Sequence, residues 1–333
     1  MSSPASNAPA AVPRTGPAVV ALGGGHGLAA SLSALRRVTD RLTAVVTVAD
    51  DGGSSGRLRR ELGVLPPGDL RMALAALCGD DEWGRTWSDV VQHRFSGDGD
   101  LHGHSVGNLL IVALWDLLGD TVAALDLVGR LLRAHGRVLP MCSVPLDLQA
   151  SVVGADPKRP GETTQVSGQV AIATTRGRVS GLRLVPDQPP ACPEALTSVR
   201  YADWVVLGPG SWFTSVIPHL LVPDLAAALV ETSARRAVVL NLVPQIGETA
   251  GFSPEQHLQV LAKHAPALRI DVVIADTGQA RDAGSLGELA AALGAELLVR
   301  EVARRDDATR HDPTRLAHAF AEAFAHPRPP GRI

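Results

Sequence analysis

The chain has 333 residues, of which 45% are hydrophobic, 20% charged and 3% aromatic, and its formal net charge is −3. This is the composition of a globular protein with a sizeable core. Acidic and basic residues are spread along the whole sequence, so no basic face is available to neutralise a nucleic-acid backbone, and nucleic acid is not expected as a partner.

Neither the start of the sequence nor its most apolar internal run reads as a membrane or export segment. The first 17 residues lack the basic start and apolar core of a signal peptide, and residues 106–118 are too short to span a bilayer. Three widely separated cysteines indicate buried thiols in a reducing compartment. We therefore expect a cytoplasmic protein without a membrane span.

One folded body is predicted from residue 18 to residue 325, between proline-rich disordered tails at 1–17 and 326–333. Inside it, short apolar runs precede glycine-rich loops or helical patterns at 18–22, 43–48, 204–207, 237–242 and 270–275. This alternation predicts a Rossmann-like α/β fold with a doubly wound, mostly parallel sheet. A helical insertion is predicted at about 70–135. A small antiparallel β insertion is predicted at about 144–185, with a hairpin turn at 176–178.

The first glycine-rich loop lies between the first predicted strand and a helix on which Leu28, Leu32 and Leu35 form one apolar stripe. Glycines let the backbone approach a phosphate closely, and the free N–H groups at a helix start favour an anion. The loop is therefore predicted to bind phosphate, with a tight structural turn as the alternative. Its residues are Gly23, Gly24, Gly25, His26 and Gly27. The histidine is interpreted as either a ligand contact or a solvated side chain.

The second predicted strand ends in two adjacent acids, Asp50 and Asp51, followed by Ser54, Ser55 and Arg57 in a glycine-rich run. Paired carboxylates suit a hard cation such as Mg²⁺, while hydroxyls and a guanidinium suit phosphate oxygens. In a dinucleotide fold the first acid would instead hold a ribose hydroxyl. A solvated turn is the alternative without a ligand.

Polar residues also stand at the starts of two predicted helices. Asp69 follows two prolines and a glycine, where it is either an N-cap or a ligand. Arg71, two positions later, is predicted to supply a cation to the bound ligand. Ser105 is in the position of a cap for the very apolar helix that follows. His104 and Asn108, four positions apart, are predicted to share a helical face and to reach a ligand.

The last glycine-rich loop follows the strand at 204–207 and carries several donors. Its backbone N–H groups and hydroxyls are predicted to bind a second phosphate or a carboxylate, together with the amide that ends the next strand. A nucleophilic serine is the alternative, although the loop departs from GxSxG and no histidine and aspartate partners can be singled out. The candidate residues are Gly208, Gly210, Ser211, Thr214, Ser215 and Asn241.

Six ordered motifs, ALGGGHGL, VTVADDGGSSGRLR, LPPGDLRMAL, GHSVGNLL, LGPGSWFTSVIPHLLVP and NLVPQIGETAGF, resemble the YvcK/CofD-like family. This family is also known as UPF0052 or the gluconeogenesis factor family. The resemblance covers residues 19–316 and is strongest to its actinobacterial YvcK branch. It implies a nucleotide held across the strand ends and groups Asp69 with Asp50 and Asp51 as metal acids. It also implies that Arg310, in a late RHD element, faces the ligand diphosphate.

The family contains two activities. CofD-type members transfer phospholactate to a deazaflavin with Mg²⁺, whereas YvcK-type members resemble regulators that bind UDP-sugars, notably UDP-N-acetylglucosamine, and support cell shape, peptidoglycan synthesis and growth on gluconeogenic carbon. The strings GGSSGRLR and PPGDL match the YvcK type. We therefore predict a regulatory protein rather than an enzyme, with Mg²⁺ as cofactor and a UDP-sugar or NAD-like nucleotide as ligand. A phosphotransferase and a nicotinamide-dependent enzyme are the alternatives. The protein partners are unidentified, and a homo-oligomer is compatible with the sequence.

Overall fold

The computed structural model describes residues 15–245, 247–280 and 283–326. Its strands form two sheets, a seven-stranded parallel sheet in the order β10-β9-β8-β7-β1-β2-β3 and a three-stranded antiparallel sheet in the order β5-β4-β6. The strands are β1 (Val19–Gly23), β2 (Leu42–Val46), β3 (Arg137–Pro140), β4 (Asp147–Val153), β5 (Thr163–Ser167), β6 (Arg178–Val185), β7 (Trp204–Leu207), β8 (Arg235–Val239), β9 (Val272–Asp276) and β10 (Glu296–Arg300).

Helices connect the strands of the large sheet and form most of the 70–135 insertion. They are α1 (Gly25–Leu35), α2 (Gly53–Leu62), α3 (Gly68–Ala76), α4 (Glu82–Gln92), α5 (Val106–Leu118), α6 (Thr121–Leu132), α7 (Gln169–Ala173), α8 (Pro193–Arg200), α9 (Pro218–Leu221), α10 (Pro223–Glu231), α11 (Pro254–His264), α12 (Ala283–Ala292) and α13 (Pro313–Ala325). A π-helical turn, Trp212–Val216, precedes α9. The predicted doubly wound α/β fold with a helical and an antiparallel insertion is confirmed.

Strand order reverses between β1 and β7. From β1 the chain proceeds through β2 to β3 on one side, and from β7 it proceeds through β8 and β9 to β10 on the other. The chain therefore leaves β1 and β7 toward opposite sides of the sheet, and this reversal defines a switch point at the carboxyl edge. Open α/β sheets bind ligands at such a point.

The core explains why these segments form strands and helices. Every residue of β1 and β7 is buried, as expected for central strands covered on both faces. The predicted stripe Leu28, Leu32 and Leu35 lies on the buried face of α1. Trp212 and Phe213, large aromatics beside the last glycine-rich loop, are 0% and 2% exposed and belong to this core.

The secondary structure predicted for one segment is wrong. Residues 169–173 form helix α7 rather than a strand, and β6 pairs with β4, so the predicted hairpin at 176–178 does not form. The alternation of Val170 and Ile172 with small residues is compatible with a strand. The backbone N–H of Val170 instead donates to the Asp51 carboxylate (3.0 Å), and this long-range bond favours the short helix.

The described body extends slightly beyond the predicted boundaries at both ends. The hydroxyl of Thr15 donates to Asp40 (2.9 Å), and the carbonyl of His326 accepts from Arg235. The rest of the two predicted tails, 1–14 and 327–333, lies outside the described residues. None of the helices in the described ranges combines the length and the apolar character that a bilayer span requires.

Candidate functional site

Two neighbouring clefts open at the carboxyl edge of the large sheet, beside the switch point. The first, here called the glycine groove, has a volume of about 340 Å³, and its walls include His26, Gly27, Gly210, Asn241, Gln245, Arg310 and His311. The second, here called the acid cleft, has a volume of about 190 Å³ and is lined by Asp50, Ser54, Ser55, Asp69, Arg71 and Arg94, among others. The structure thus divides the predicted site residues between two spaces.

The floor of the glycine groove is made by two loops in backbone contact. A Cβ at Gly27 would lie 2.3 Å from the carbonyl oxygen of Pro209 and 2.4 Å from the Cα of Gly210. Gly210 itself has φ +139°, a conformation that side chains disfavour. These glycines are therefore required by the contact between the loops. The sequence pattern alone could not distinguish this requirement from phosphate binding.

Asn241 holds the second of these loops in place. Its Oδ1 accepts from the N–H of Gly210 and its Nδ2 donates to the Gly210 carbonyl, both at 2.8 Å. The side chain and the backbone N–H were each predicted to contact a ligand. The structure pairs them with each other, so the Gly210 N–H is no longer a free donor and one of the two N–H groups of the Asn241 amide is occupied.

A buried carboxylate fills the donor site predicted for a second phosphate. Glu248 is 3% exposed and accepts from the backbone N–H of Phe213 (2.8 Å) and from the hydroxyl of Thr214. Burial raises the pKa of Glu248, and these donors oppose the shift. The anion bound by this loop is therefore an internal one. The sequence alone did not indicate that Glu248 pairs with this loop.

The two serines of this loop have different environments. The Ser211 hydroxyl is half-buried and accepts from Nε2 of Gln245 (3.3 Å). Ser215 is buried, and its Oγ would lie 3.2 Å from a Cβ at Gly24. Gly208, at φ +73°, begins the loop directly after β7. Ser211 is connected to the groove wall through its bond with Gln245.

Arg310 is an exposed cation on the wall of the glycine groove. Within the described residues its guanidinium has no ion pair or hydrogen bond, whereas Arg304, on the same wall, pairs with Asp306 at 2.7 Å. His26 and Gly27, in the first turn of α1, line the same groove. The groove therefore offers a positive charge without an ion pair together with the amino end of a helix, a suitable combination for an anionic ligand.

In the acid cleft, Asp69 lies against the first glycine-rich loop. It accepts from the backbone N–H of Gly25, and its Oδ2 would lie 2.5 Å from a Cβ at Gly24. Asp69 is the second residue of α3 and not its N-cap, which is Pro67. Burial, followed by the charge of Asp50, raises the pKa of Asp69 to about 7. The structure therefore brings Asp50 and Asp69 to one cleft, where a cation or a proton would relieve their repulsion.

Asp51 does not join these two acids. Its Oδ1 accepts from the N–H of Val170, so the side chain supports the amino end of α7 instead of facing the cleft. Across the described ranges, no three histidine, cysteine, aspartate or glutamate side chains assemble at metal-binding spacing. The donor chemistry of Asp50 and Asp69 suits Mg²⁺, and binding of the ion remains a prediction that depends on those two carboxylates.

A buried polar network forms the wall behind the acid cleft. Ser54 Oγ lies 3.0 Å from both Nδ1 of His104 and Nδ2 of Asn108, and Oδ1 of Asn108 accepts from Nε of Arg71 (3.0 Å). Burial, followed by the charge of Arg94, lowers the pKa of Arg71 to about 10. His104 precedes α5, so the two predicted ligands do not share a helical face. They meet instead at Ser54.

Ser55 and Arg57 complete the second glycine-rich run, which forms the first turns of α2. Ser55 lines the acid cleft, and its Oγ would lie 2.3 Å from a Cβ at Gly68. The Arg57 guanidinium donates to the carbonyls of Asp100 (3.3 Å) and His102 and lines neither cleft. The structure therefore does not bring Arg57 to the phosphate-binding position predicted for it.

Comparison with known proteins shows the family to which this chain belongs. Residues 19–296 match the family model described as "2-phospho-L-lactate transferase CofD". The chain belongs to this family, the CofD (UPF0052) family. It is 58% identical over 304 residues to the "Putative gluconeogenesis factor" of Mycobacterium tuberculosis strain H37Rv, covering 90% of this chain and 88% of that protein.

More distant members share the whole architecture. The "Gluconeogenesis factor" of Bacillus subtilis is 33% identical over 320 residues, which cover 92% of this chain and 98% of that protein. A crystal structure of a UPF0052 family member from Bacillus halodurans superposes with a TM-score of 0.79 at 33% identity, covering 91% of this chain and 97% of the other. The predicted membership in the YvcK/CofD-like family is confirmed.

Proposed function

We propose that this protein is a regulatory protein that binds a nucleotide sugar of the UDP-N-acetylglucosamine type. Its role would be that of a gluconeogenesis factor, the name borne by its relatives, needed for cell shape and peptidoglycan synthesis on gluconeogenic carbon. The observation that carries the proposal is that the Arg310 guanidinium, which has no ion pair within the described ranges, and the first turn of α1 line the same glycine groove at the switch point of the sheet.

The groove suits a diphosphate joined to uncharged groups. Its volume of about 340 Å³ lies in the range of small-molecule sites, and its walls are mostly uncharged apart from Arg304 and Arg310. In the proposed complex the diphosphate lies between Arg310 and the N–H groups of His26 and Gly27. The sugar and the base then occupy the uncharged parts of the groove and the space toward the acid cleft.

Regulation requires that the bound and free proteins differ in shape, because a ligand shifts only those equilibria in which it prefers one state. Helix α7 is placed to transmit such a change. At its amino end, the N–H of Val170 donates to the carboxylate of Asp51, which belongs to the loop beside the acid cleft. At its carboxyl end, the Ala173 carbonyl contacts Gly247 closely, because a Cβ at Gly247 would lie 2.0 Å from that oxygen, and Gly247 is next to Glu248. In the proposal, movement of either loop alters the surface of the small sheet, which then changes its contacts with protein partners.

A second candidate function is a Mg²⁺-dependent transfer of phospholactate. The pair Asp50 and Asp69, together with the family model's description, favours it. Against it stands the absence of tryptophan, tyrosine and phenylalanine among the described residues that line the two clefts, because a deazaflavin needs an aromatic wall. Trp212 and Phe213, the large aromatics of the glycine-rich motifs, are buried in the core and are not available to stack on an acceptor.

One pair of experiments separates the two functions. Calorimetric titration with UDP-N-acetylglucosamine, with and without Mg²⁺, is expected to show saturable binding. Incubation with a deazaflavin acceptor, an activated phospholactate or phosphoenolpyruvate donor and Mg²⁺ is expected to give no product. Multiple-turnover product formation would replace the regulatory proposal with the transferase, and absence of binding to any nucleotide sugar would refute it.

A further inference from the structure

The outer side of helix α5 is apolar although it is exposed to solvent. The helix has 13 residues, of which Asp116 is the only charged one. Ile111 and Trp115 lie on its buried side and belong to the core, whereas Leu117, on the other side, is 76% exposed. A helix that is apolar on all sides is normally buried on all sides. The single chain therefore leaves part of α5 uncovered.

Helix α6 extends this apolar surface. Its exposed residues include Ala123, Leu127 and Leu131, which follow one another at intervals of four and so lie along one side of the helix. The two helices contact each other, and only Gly119 and Asp120 connect them, so they form an antiparallel hairpin. Its exposed apolar surface, here called the hairpin face, consists of Ala113, Leu117, Leu118, Ala123, Leu127 and Leu131. Exposed apolar patches that are rimmed by polar residues mark sites of association.

Opposite charges lie at the two ends of the hairpin face. Asp116 and Asp120 lie at its turn, and Arg130 and Arg133 lie at the far end of α6. Within the described ranges none of these four side chains takes part in an ion pair. The guanidinium of Arg133 stacks on the Trp83 ring at 4.7 Å, which favours one position for this charge. A helix of 12 residues is about 18 Å long, so the acids lie too far from the arginines of their own hairpin to pair with them.

We infer that the hairpin face is an interface between two copies of this chain, related by a two-fold axis at Leu127. When two α6 helices pack antiparallel about that axis, Leu127 meets Leu127 of the second copy and the small Ala123 faces the large Leu131. The acidic end of each hairpin then lies over the basic end of the other. The face is thus complementary to itself in size and in charge, as a closed two-fold dimer requires. This inference does not depend on the proposed nucleotide-binding function.

The test measures the mass of the full chain in solution by sedimentation at micromolar concentration. The parent protein is expected to have twice the mass of one chain, which is 34.7 kDa. Leu127→Glu places two like charges at the two-fold axis and should give the mass of one chain. Leu62→Glu is the matched control, because Leu62 is 57% exposed on α2, outside the hairpin face, and this variant should keep the doubled mass. Circular dichroism confirms that each variant is folded.

A charge exchange tests the antiparallel alignment. Asp116→Arg should raise the dissociation constant of the dimer at least about fivefold, because the substitution occurs twice in each dimer. Adding Arg130→Asp to the same chain should restore the parent value, since each pair then has opposite charges again.

Three results would overturn the inference. A parent protein with the mass of one chain would show that the face is not covered by a second copy, and a different protein would then be its occupant. A Leu127→Glu protein that keeps the doubled mass would place the contact between copies elsewhere. A double variant that associates no better than Asp116→Arg alone would contradict the predicted alignment of the two α6 helices.

Discussion

The carboxylate of Asp69 accepts a hydrogen bond from the backbone N–H of Gly25, the first residue of helix α1. An internal anion therefore already lies beside the helix start at which a ligand phosphate is predicted. A phosphate approaching Asp69 would be repelled unless a proton or a cation neutralises that acid. This relationship links the acid cleft to the glycine groove.

The raised pKa of Asp69 makes stability depend on pH. Its pKa is about 7 in the folded protein and 3.8 ordinarily, so the folded state binds the extra proton between these values. Stability therefore falls as pH rises from about 4 to about 7, and the loss is complete above that range. Asp69→Asn removes the ionisation while keeping a side-chain oxygen for Gly25.

We expect Asp69→Asn to raise the free energy of unfolding at pH 8 by about 1–3 kcal/mol, since each pKa unit corresponds to about 1.4 kcal/mol and partial exposure reduces the effect. At pH 4 the gain should disappear. Urea denaturation at the two pH values measures the difference. Asp98→Asn, in an exposed loop, serves as the control. An equal effect of Asp69→Asn at both pH values would show that Asp69 is ionised in the folded protein over this range.

Glu248 is predicted to stabilise the fold through the loop after β7. Glu248→Ala leaves the Phe213 N–H and the Thr214 hydroxyl without their acceptor, which should lower the free energy of unfolding by about 1–3 kcal/mol. Glu248→Gln retains an acceptor and should lose less. Denaturant titration compares both with Glu288→Ala, an exposed helical control. A Glu248→Ala protein as stable as that control would contradict the assigned role.

Gly27→Ala is predicted to destabilise the protein even without a ligand. Its Cβ would meet the backbone of Pro209 and Gly210, which cannot move aside as a flexible side chain would. Overpacking of this kind costs about 1–3 kcal/mol. Thermal unfolding of the free protein should show a lower Tm for Gly27→Ala than for Gly161→Ala, where a Cβ meets open space. If both variants have the same Tm as the parent protein, the two loops are not in the contact described.

Arg57→Ala is predicted to leave nucleotide-sugar affinity within about twofold of the parent value, a difference of about 0.4 kcal/mol in binding free energy. The guanidinium is engaged by the carbonyls of Asp100 and His102 and lines neither cleft. Calorimetric titration of the variant gives the affinity directly. A tenfold loss would show that Arg57 reorients to the ligand, in agreement with its sequence motif and against its position in the free protein.

The sequence could predict where polar groups collect but not how they pair. Glycine loops placed after strands identify the carboxyl edge of a parallel sheet, because strand direction brings those loops together. The motifs therefore predicted the positions of Gly27, Gly210, Asn241 and Asp69 relative to the sheet. What local pattern cannot give is the long-range partner of each donor and acceptor.

Three such pairings changed the interpretation of the site. Glu248 accepts hydrogen bonds from the donors that were predicted to bind phosphate. Asn241 accepts from the N–H of Gly210, and Asp51 accepts from the N–H of Val170. Each joins residues at least 31 positions apart. The last pairing also accounts for helix α7, whose five residues have a pattern that a strand would share.

In the proposed complex, the glycine groove binds the nucleotide sugar through Arg310. Arg310→Ala and Arg305→Ala remove the same charge from the same loop, but only Arg310 lines the groove. Calorimetric titration with UDP-N-acetylglucosamine should give at least about a tenfold loss of affinity for Arg310→Ala, as expected for a lost charge-assisted bond, and little change for Arg305→Ala. Equal affinities for the two variants and the parent would contradict the claim.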